Sequence, residues 1–275
     1  MTYKTLMVNL NLGESNERVL DVAVNLAQQF DAQVIGICGG HAMQLAYADS
    51  YASPDIYEMQ SREISLQIAH AEAEFRSALQ ARGDRLDWRP TEAMEPLADF
   101  AVREARSADL LITGVPDTDL FAAPRAVRAV DLIMRAGRPV LVVPVTAATP
   151  KLESVLVGWK DTREARRAVA DALPLLKRAG HVRVLEIADA ADLPSAHRRL
   201  GDVVAWLGRH GVVAEPMAAN RNPGDPDQLG TIATEQGADL IVAGAYGHSR
   251  LREWVMGGVT RSLMHGAQRC SLLSH

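Results

Sequence analysis

The chain alternates two kinds of hydrophobic pattern. Short apolar runs are followed by longer segments in which apolar residues recur every three or four positions. Within 16–30, for example, Val19, Ala23, Leu26 and Phe30 fall on one helical face. Runs of the first kind are typical of buried strands, and segments of the second kind are typical of helices that cover a sheet. The alternation therefore predicts an α/β fold, with parallel strands and helices on both faces.

The same patterns give element boundaries along the chain. In its first part we predict strands 5–9, 34–38, 86–89, 110–114 and 140–143, and helices 16–30, 54–83, 96–106 and 126–136. In its second part we predict strands 154–158, 182–187, 212–216, 240–244 and 270–274, and helices 163–177, 194–210, 227–236, 249–256 and 259–266. The long helix is expected to begin with Ser53 as its N-cap and Pro54 in its first turn, and to end at Gly83.

These two series of elements repeat one another. The segment ADLLITG at 108–114 matches ADLIVAG at 238–244, and RPVLVVP at 138–144 aligns with RCSLLSH at 269–275. Near the starts of the two series, LMV at 6–8 aligns with LVG at 156–158. A repeat of this length indicates two copies of one unit. We therefore predict two tandem five-stranded parallel-sheet domains, 1–145 and 151–275, joined by a short linker that ends in Pro150.

The most specific motif is the run GAYGHSRLREWVMGGVT at 244–260, which directly follows the predicted strand 240–244. Its glycines are spaced Gly-x2-Gly-x9-Gly, which is neither the dinucleotide fingerprint nor the Walker A pattern. Glycines let backbone N–H groups approach a phosphate, and a helix N-terminus adds partial positive charge. The alternative is turn chemistry, in which Gly244 ends a strand and Gly257 and Gly258 separate two helices.

This run resembles the ATP-binding signature of the universal stress protein family. In that signature Ser or Thr follows the last glycine, whereas here Gly258 holds the position and Thr260 offers a hydroxyl slightly later. The resemblance implies a tandem universal stress protein, Rossmann-like in fold, that binds ATP, with or without Mg2+, in its second domain. It also implies that the last strands of the two domains, 140–143 and 270–274, pair with each other.

The resemblance implies a set of nucleotide-binding residues: Gly158, Trp159, Asp161, Ile187, Gly244, Gly247, His248, Arg250, Gly257, Gly258, Val259 and Thr260. The family's aspartate after the first strand aligns with Lys160, so three readings stay open. A slip of the loop places Asp161 there, Lys160 pairs with phosphate, or both are solvated charges. Arg250 and Arg252 are either phosphate ligands or surface residues. His248 is a phosphate donor rather than a catalyst, because it lacks a nucleophilic or acidic partner nearby.

The first domain has lost this pattern. Asp117 stands where the second glycine should be, and a carboxylate there would repel phosphate. Pro116 and Pro124 also remove backbone donors. We therefore expect this domain not to bind ATP in the family's way, and to serve as a structural partner or to bind something else.

The composition of the chain bears on its partner, its compartment and the presence of a membrane span or metal site. A formal net charge of −5 disfavours nucleic acid as the main partner. With only Cys38 and Cys270, in different domains, a reducing cytoplasm is expected, and no run is long and apolar enough to span a bilayer. The first residues read as a strand rather than as a signal peptide. Cys38 and His41 are better explained by a glycine-rich loop than by a metal site.

Two functional classes remain in competition. The first is an adenine-nucleotide-binding switch module in stress response, with slow ATP hydrolysis at most and the option of homodimerisation. The second is an interaction protein of the same fold without nucleotide binding. A metabolic enzyme lacks support, because no nucleophile–base pair, metal cluster or carboxylate pair is evident.

Overall fold

The computed structural model of the protein describes residues 2–40, 54–115, 127–245 and 268–275. The elements of its first half are β1 (Thr5–Leu10), α1 (Glu17–Phe30), β2 (Gln33–Gly39), α2 (Pro54–Ala78), β3 (Leu86–Thr91), α3 (Leu97–Glu104), β4 (Leu110–Gly114), α4 (Ala129–Arg135) and β5 (Val140–Val143). Those of its second half are β6 (Ser154–Trp159), α5 (Arg163–Leu176), β7 (His181–Ala188), α6 (Leu193–Arg209), β8 (Ala214–Asn220), α7 (Gln228–Glu235), β9 (Leu240–Gly244) and β10 (Cys270–Ser274).

All of these strands belong to one ten-stranded sheet, in the order β3-β2-β1-β4-β5-β10-β9-β6-β7-β8. Neighbouring strands within each half are parallel. The order 3-2-1-4-5 of the first half recurs in the second half, read from the outer edge at β8 inward to the middle of the sheet. The predicted architecture of two tandem α/β units is confirmed.

The two halves meet where β5 and β10 pair antiparallel. Leu141 lies opposite Leu272, and this pair is flanked by Val142 opposite Ser271 and by Val140 opposite Leu273. Since the repeat relates β5 to β10, this register puts a pseudo-two-fold axis at the Leu141–Leu272 pair. The predicted pairing of the two last strands is therefore confirmed.

Helices cover both faces of the sheet. On one face α1, α2, α5 and α6 enclose a core that includes Leu26, Phe75, Val169 and Leu200. On the other face α3, α4 and α7 enclose a second core, with Phe100, Leu132 and Leu229 among its members. Adjacent strand residues such as Val34 and Ile35 alternate between the two cores. Strands buried on both faces explain why the sequence shows continuous apolar runs.

Two predicted boundaries are wrong for identifiable reasons. Helix α2 ends at Ala78, and a 3-10 segment, Gln80–Arg85, contains Gly83 at φ 55°. Strand β8 starts two residues later than predicted and continues past Pro216, because an edge strand tolerates a missing N–H.

The predicted helices 249–256 and 259–266 lie outside the described residues, as does the Ser53 cap. None of the helices in the described ranges is long and apolar enough to cross a membrane.

Candidate functional site

The structure brings several predicted site residues to one edge of the second half. Gly158 and Trp159 end β6, Ile187 is the penultimate residue of β7, and Gly244 ends β9. Because β6 pairs in parallel with both β7 and β9, these ends lie side by side. The carboxyl edge of a parallel sheet is where ligands bind in such folds. Asp161 lies in the loop that follows β6.

The other predicted ligands cannot be placed. Seven of them lie outside the described residues: Gly247, His248, Arg250, Gly257, Gly258, Val259 and Thr260. The beginning of the glycine run is nevertheless fixed. Ala245 is buried, its N–H donates to the Ser274 carbonyl at 2.8 Å, and its own carbonyl lies 3.1 Å from Nδ1 of His275. The run therefore leaves the sheet from an anchored position.

Gly244 allows a helix to come close to the strand end. A Cβ at this position would lie 2.5 Å from the backbone nitrogen of Ala165 and 2.6 Å from the carbonyl carbon of Glu164. Both atoms belong to the first turn of α5, so only glycine permits this approach. The N-cap Thr162 accepts from the Ala165 N–H at 3.4 Å. The positive end of α5 therefore lies directly beside the start of the glycine run.

Gly158 also has a packing role. A Cβ there would lie 3.1 Å from Cδ2 of Leu229 in α7. In the first half Asn9 holds the corresponding place, because it pairs with Thr113 as Gly158 pairs with Ala243. The first strands of the two halves therefore correspond one residue away from the alignment of 6–8 with 156–158. Asn9 is buried, and its amide donates to Thr113 Oγ1 at 3.1 Å and to Asn11 Oδ1 at 3.3 Å. At the end of its first strand, the first half therefore has a network of amide hydrogen bonds. At the same place the second half has an apolar contact between Gly158 and Leu229.

Trp159 brings an enclosed hydrogen-bond donor to the site. Its ring packs against the core under α5 and α6, and its Nε1 is shielded from solvent with no acceptor among the described residues. An enclosed indole N–H normally finds a partner. Trp88 Nε1 in the first half is shielded in the same way, so an unpartnered indole N–H is common to both halves.

Sequence reasoning missed an ion pair next to Trp159, in which Glu186 is buried and Arg199 is partly exposed. Glu186 is the register partner of Trp159 and only 6% exposed. Arg199 of α6 donates to Glu186 Oε1 from Nε at 3.1 Å and from Nη2 at 2.5 Å, and Nη2 also reaches Asp192 at 2.6 Å. The hydrogen bond from Arg199 lowers the pKa of Asp192. A glutamate within the apolar run 182–187 was the signal that could have revealed this pair.

The loop after β6 carries mixed charge. Asp161 is exposed and accepts from Nη2 of Arg166 at 2.5 Å, and Lys160 is exposed as well. Glu164, in the first turn of α5, is buried. Burial opposes its ionisation, but the adjacent Arg163 guanidinium holds its pKa below the usual range. The Asp161–Arg166 pair lies at the surface, with side chains 54% and 58% exposed, so it holds Asp161 only weakly.

The described residues hold no cluster of three or more His, Cys, Asp or Glu side chains suited to a metal ion. Cys38 is buried, which raises the pKa of its thiol to about 12. A thiol in that state is a poor metal ligand and nucleophile. His41, its suggested partner, lies outside the described residues.

Comparisons with solved structures cover nearly the whole chain. The sequence matches no protein-family model and no curated protein sequence. Among solved structures, a universal stress protein from Archaeoglobus fulgidus aligns over 98% of this chain and 97% of its own, at 14% identity and a TM-score of 0.72. A putative universal stress protein from Pseudomonas aeruginosa aligns over 99% and 93%, at 14% identity and a TM-score of 0.60.

The class defined by the fold is a tandem α/β protein in which two repeats share one sheet. More particularly, the full-length alignments show that the chain has the universal stress protein fold in its tandem form.

Proposed function

We propose that the chain binds an adenine nucleotide, ATP with Mg2+, at the carboxyl edge of β6, β7 and β9. The observation that carries this proposal is the placement of the Gly-x2-Gly-x9-Gly run. It begins at Gly244, next to the capped N-terminus of α5. Backbone N–H groups of a glycine-rich loop and a helix N-terminus together favour phosphate.

We assign the remaining residues roles from the chemistry of their side chains and backbone groups. Ile187 is partly exposed and apolar, which suits contact with the adenine ring. The enclosed Trp159 Nε1 donates to an acceptor on the base or the ribose. Gly247, Gly257, Gly258 and Val259 supply backbone donors to the phosphates, and His248, Arg250 and Thr260 supply side-chain donors.

The biological role we propose is that of a cytoplasmic stress-response module, in which bound nucleotide alters the shape or the partners of the protein. The full-length neighbours from Archaeoglobus and Pseudomonas are described as universal stress proteins, and we extend that role to this chain. No step of catalysis is assigned, because the described edge residues offer no nucleophile with an adjacent base.

A second candidate is an interaction protein that has lost nucleotide binding. Leu229 fills the space beside Gly158, and Asp161 pairs with Arg166. The family's hydroxyl after the last glycine is replaced by Gly258, and its aspartate aligns with Lys160. This candidate predicts a folded protein that does not respond to ATP.

Calorimetric titration of the full chain with ATP and Mg2+ separates the two candidates. We expect wild type to bind and Gly247→Asp to lose binding, because a carboxylate would enter the phosphate site. Gly201→Asp is the matched control: Gly201 lies in α6, is exposed, and has open space where a Cβ would be. Failure of the folded wild type to bind ATP supports the second candidate.

A further inference from the structure

Helix α5 contacts the start of the glycine run from two of its turns. Its first turn lies against Gly244. Two turns later, Asp171 Oδ2 accepts a hydrogen bond from the Ser274 hydroxyl at 2.9 Å. The Ser274 carbonyl in turn accepts from the Ala245 N–H at 2.8 Å. Asp171 is therefore connected through Ser274 to the residue at which the run leaves the sheet.

This connection is shielded from water. Ser274 and Ala245 are fully buried, and the Asp171 side chain is only 25% exposed. A hydrogen bond to a carboxylate is stronger than one between neutral groups, and it strengthens further where water is excluded. The Asp171 carboxylate can therefore fix the end of β10, on which the Ala245 N–H depends.

Asp171 is also held by the first half. The Tyr3 hydroxyl donates to the Asp171 carbonyl at 2.6 Å, and Tyr3 is only 3% exposed. Arg167, one turn before Asp171, lies 3.6 Å from Asp171 Oδ2 and donates to the Gly137 carbonyl of the first half at 2.5 Å. The contacts from the first half and from the glycine run therefore meet at one residue of α5.

The first half lacks the hydroxyl of this connection at its own edge. The Val115 N–H donates to the Val143 carbonyl at 3.3 Å, as the Ala245 N–H donates to the Ser274 carbonyl. Val143 therefore occupies the position of Ser274, and a valine side chain cannot donate a hydrogen bond.

The first half also lacks the carboxylate. Alignment of α1 with α5 by their N-cap residues, Asn16 and Thr162, places Asn25 at the position of Asp171. Asn25 Oδ1 accepts from Gln29 of its own helix at 2.8 Å. The repeat therefore folds without this connection, and within the described ranges the connection occurs only in the half that carries the glycine run.

We propose that Asp171 is a positioning residue for the nucleotide site and that the first half sets the affinity of that site through it. This inference rests on the proposed function of the second half. Tyr3 holds the backbone of Asp171, the Asp171 carboxylate holds Ser274, and Ser274 holds Ala245. A glycine run that is anchored in advance loses less freedom when ATP binds, which raises affinity. The first half then acts as an intramolecular partner of the nucleotide site.

Two variants of Asp171 in the full chain test this role by calorimetric titration with ATP and Mg2+. Asp171→Leu keeps the approximate shape of the side chain and removes the acceptor, whereas Asp171→Asn keeps an oxygen that can accept from Ser274. We expect about tenfold weaker binding by Asp171→Leu, because a hydrogen bond to a charged group is lost. Asp171→Asn should bind nearly as wild type does. Equal affinity in the two variants overturns the proposal, because a packing role does not depend on the acceptor.

Tyr3→Phe tests the contribution of the first half, and it keeps the test valid if Asp171→Leu fails to fold. We expect about threefold weaker ATP binding, because one neutral hydrogen bond is removed. Ser271→Ala is the matched control, since Ser271 lies in the same strand as Ser274 and its hydroxyl has no partner among the described residues. Its ATP affinity should equal that of wild type, and an unchanged affinity in Tyr3→Phe as well overturns the role of the first half.

Hydrogen exchange of the Ala245 amide, measured without nucleotide, separates this proposal from the proposed function. We expect exchange about tenfold faster in Asp171→Leu than in wild type, and unchanged in Ser271→Ala. Unchanged exchange in Asp171→Leu overturns the proposal even if wild type binds ATP. Absence of ATP binding by folded wild type overturns the proposed function, and the exchange rates then decide on the connection from Asp171 to Ala245 alone.

Discussion

Ser271 is fully buried in β10, and its hydroxyl has no hydrogen-bond partner within the described chain. By the repeat, Val140 of β5 holds the corresponding position. An unpaired buried hydroxyl reduces stability, so we predict that Ser271→Ala raises the free energy of unfolding by about 1 kcal/mol. Urea unfolding at neutral pH measures this change.

Ser274→Ala is the control for this substitution. The Ser274 hydroxyl donates to Asp171 Oδ2 at 2.9 Å, so the same chemical change there removes a made hydrogen bond and lowers stability. If Ser271→Ala also lowers stability, the serine has a role that its surroundings do not explain.

The Glu186–Arg199 pair makes a second residue-scale prediction. Arg199→Ala leaves Glu186 buried without its countercharge, and we expect a lower free energy of unfolding.

In the first half Cys38 and Ala71 hold the positions of Glu186 and Arg199, because Leu10 pairs with Cys38 as Trp159 pairs with Glu186 and Gly83 aligns with Gly211. The double variant Glu186→Cys with Arg199→Ala installs these residues. It should recover much of the loss. A double-mutant cycle from denaturant unfolding gives the coupling free energy between Glu186 and Arg199. If the effects of the two substitutions on stability are additive, the two side chains do not stabilise each other and the pair is contradicted.

At the scale of elements, the contact of β9 with α5 depends on Gly244. Its missing Cβ would meet backbone atoms of α5 at 2.5 and 2.6 Å, which cannot move without shifting the helix. At Gly114, the counterpart in β4, the nearest atom is Cγ2 of Val19 at 3.2 Å. We therefore predict that Gly244→Ala costs about 3 kcal/mol and Gly114→Ala about 1 kcal/mol.

Thermal and urea unfolding of the two alanine variants test this ranking. A smaller cost at Gly244 than at Gly114 would show that α5 is not seated against β9 as described. Nucleotide affinity measured on the same variants adds a second readout, since displacing α5 also moves its N-terminus away from the phosphates.

Most elements were predictable from sequence, because a strand buried on both faces leaves an apolar run that few other structures produce. The strand 240–244 is an example: prediction and structure agree at both ends. Strand β8 was harder, because it lies at the sheet edge, carries exposed Glu215 and Pro216, and lacks a continuous apolar run. The bounds of β8 are set by its pairing with β7, and no local sequence pattern shows that pairing.

The sequence could predict which residues lie at the ends of strands. It could not predict which residues distant in the chain contact each other. Gly158, Ile187 and Gly244 reach one edge because parallel strands end together. The Glu186–Arg199 pair joins a strand to the next helix and depends on packing angles. Likewise, the amide network of Asn9 and Thr113 joins positions 104 residues apart, and no local pattern indicates it.

At the scale of the whole molecule, the halves are joined by more than β5 and β10. The Tyr3 hydroxyl donates to the Asp171 carbonyl of α5 at 2.6 Å, and the Arg178 guanidinium lies 4.7 Å from the centre of the Phe30 ring. We predict that the halves unfold as one unit, and that Tyr3→Phe lowers the free energy of unfolding by about 1 kcal/mol. We expect single-unit unfolding and the effect of Tyr3→Phe because the two halves contact each other through helices as well as through the sheet.

Tryptophan fluorescence and circular dichroism during urea unfolding check this prediction. Trp88 reports on the first half, and Trp159, Trp206 and Trp254 report on the second. Coincident transitions in wild type, shifted together in Tyr3→Phe, fit a single cooperative unit. Two separated transitions in wild type would mean that the halves are stable independently.

The central claim is that two similar halves have different sites and that only the second takes a nucleotide. Native mass spectrometry of the full chain with ATP and Mg2+ tests it by counting bound nucleotides. We predict one ATP per chain in wild type and none in Gly247→Asp. Two ATP per chain, none in wild type, or one that persists in Gly247→Asp would contradict it.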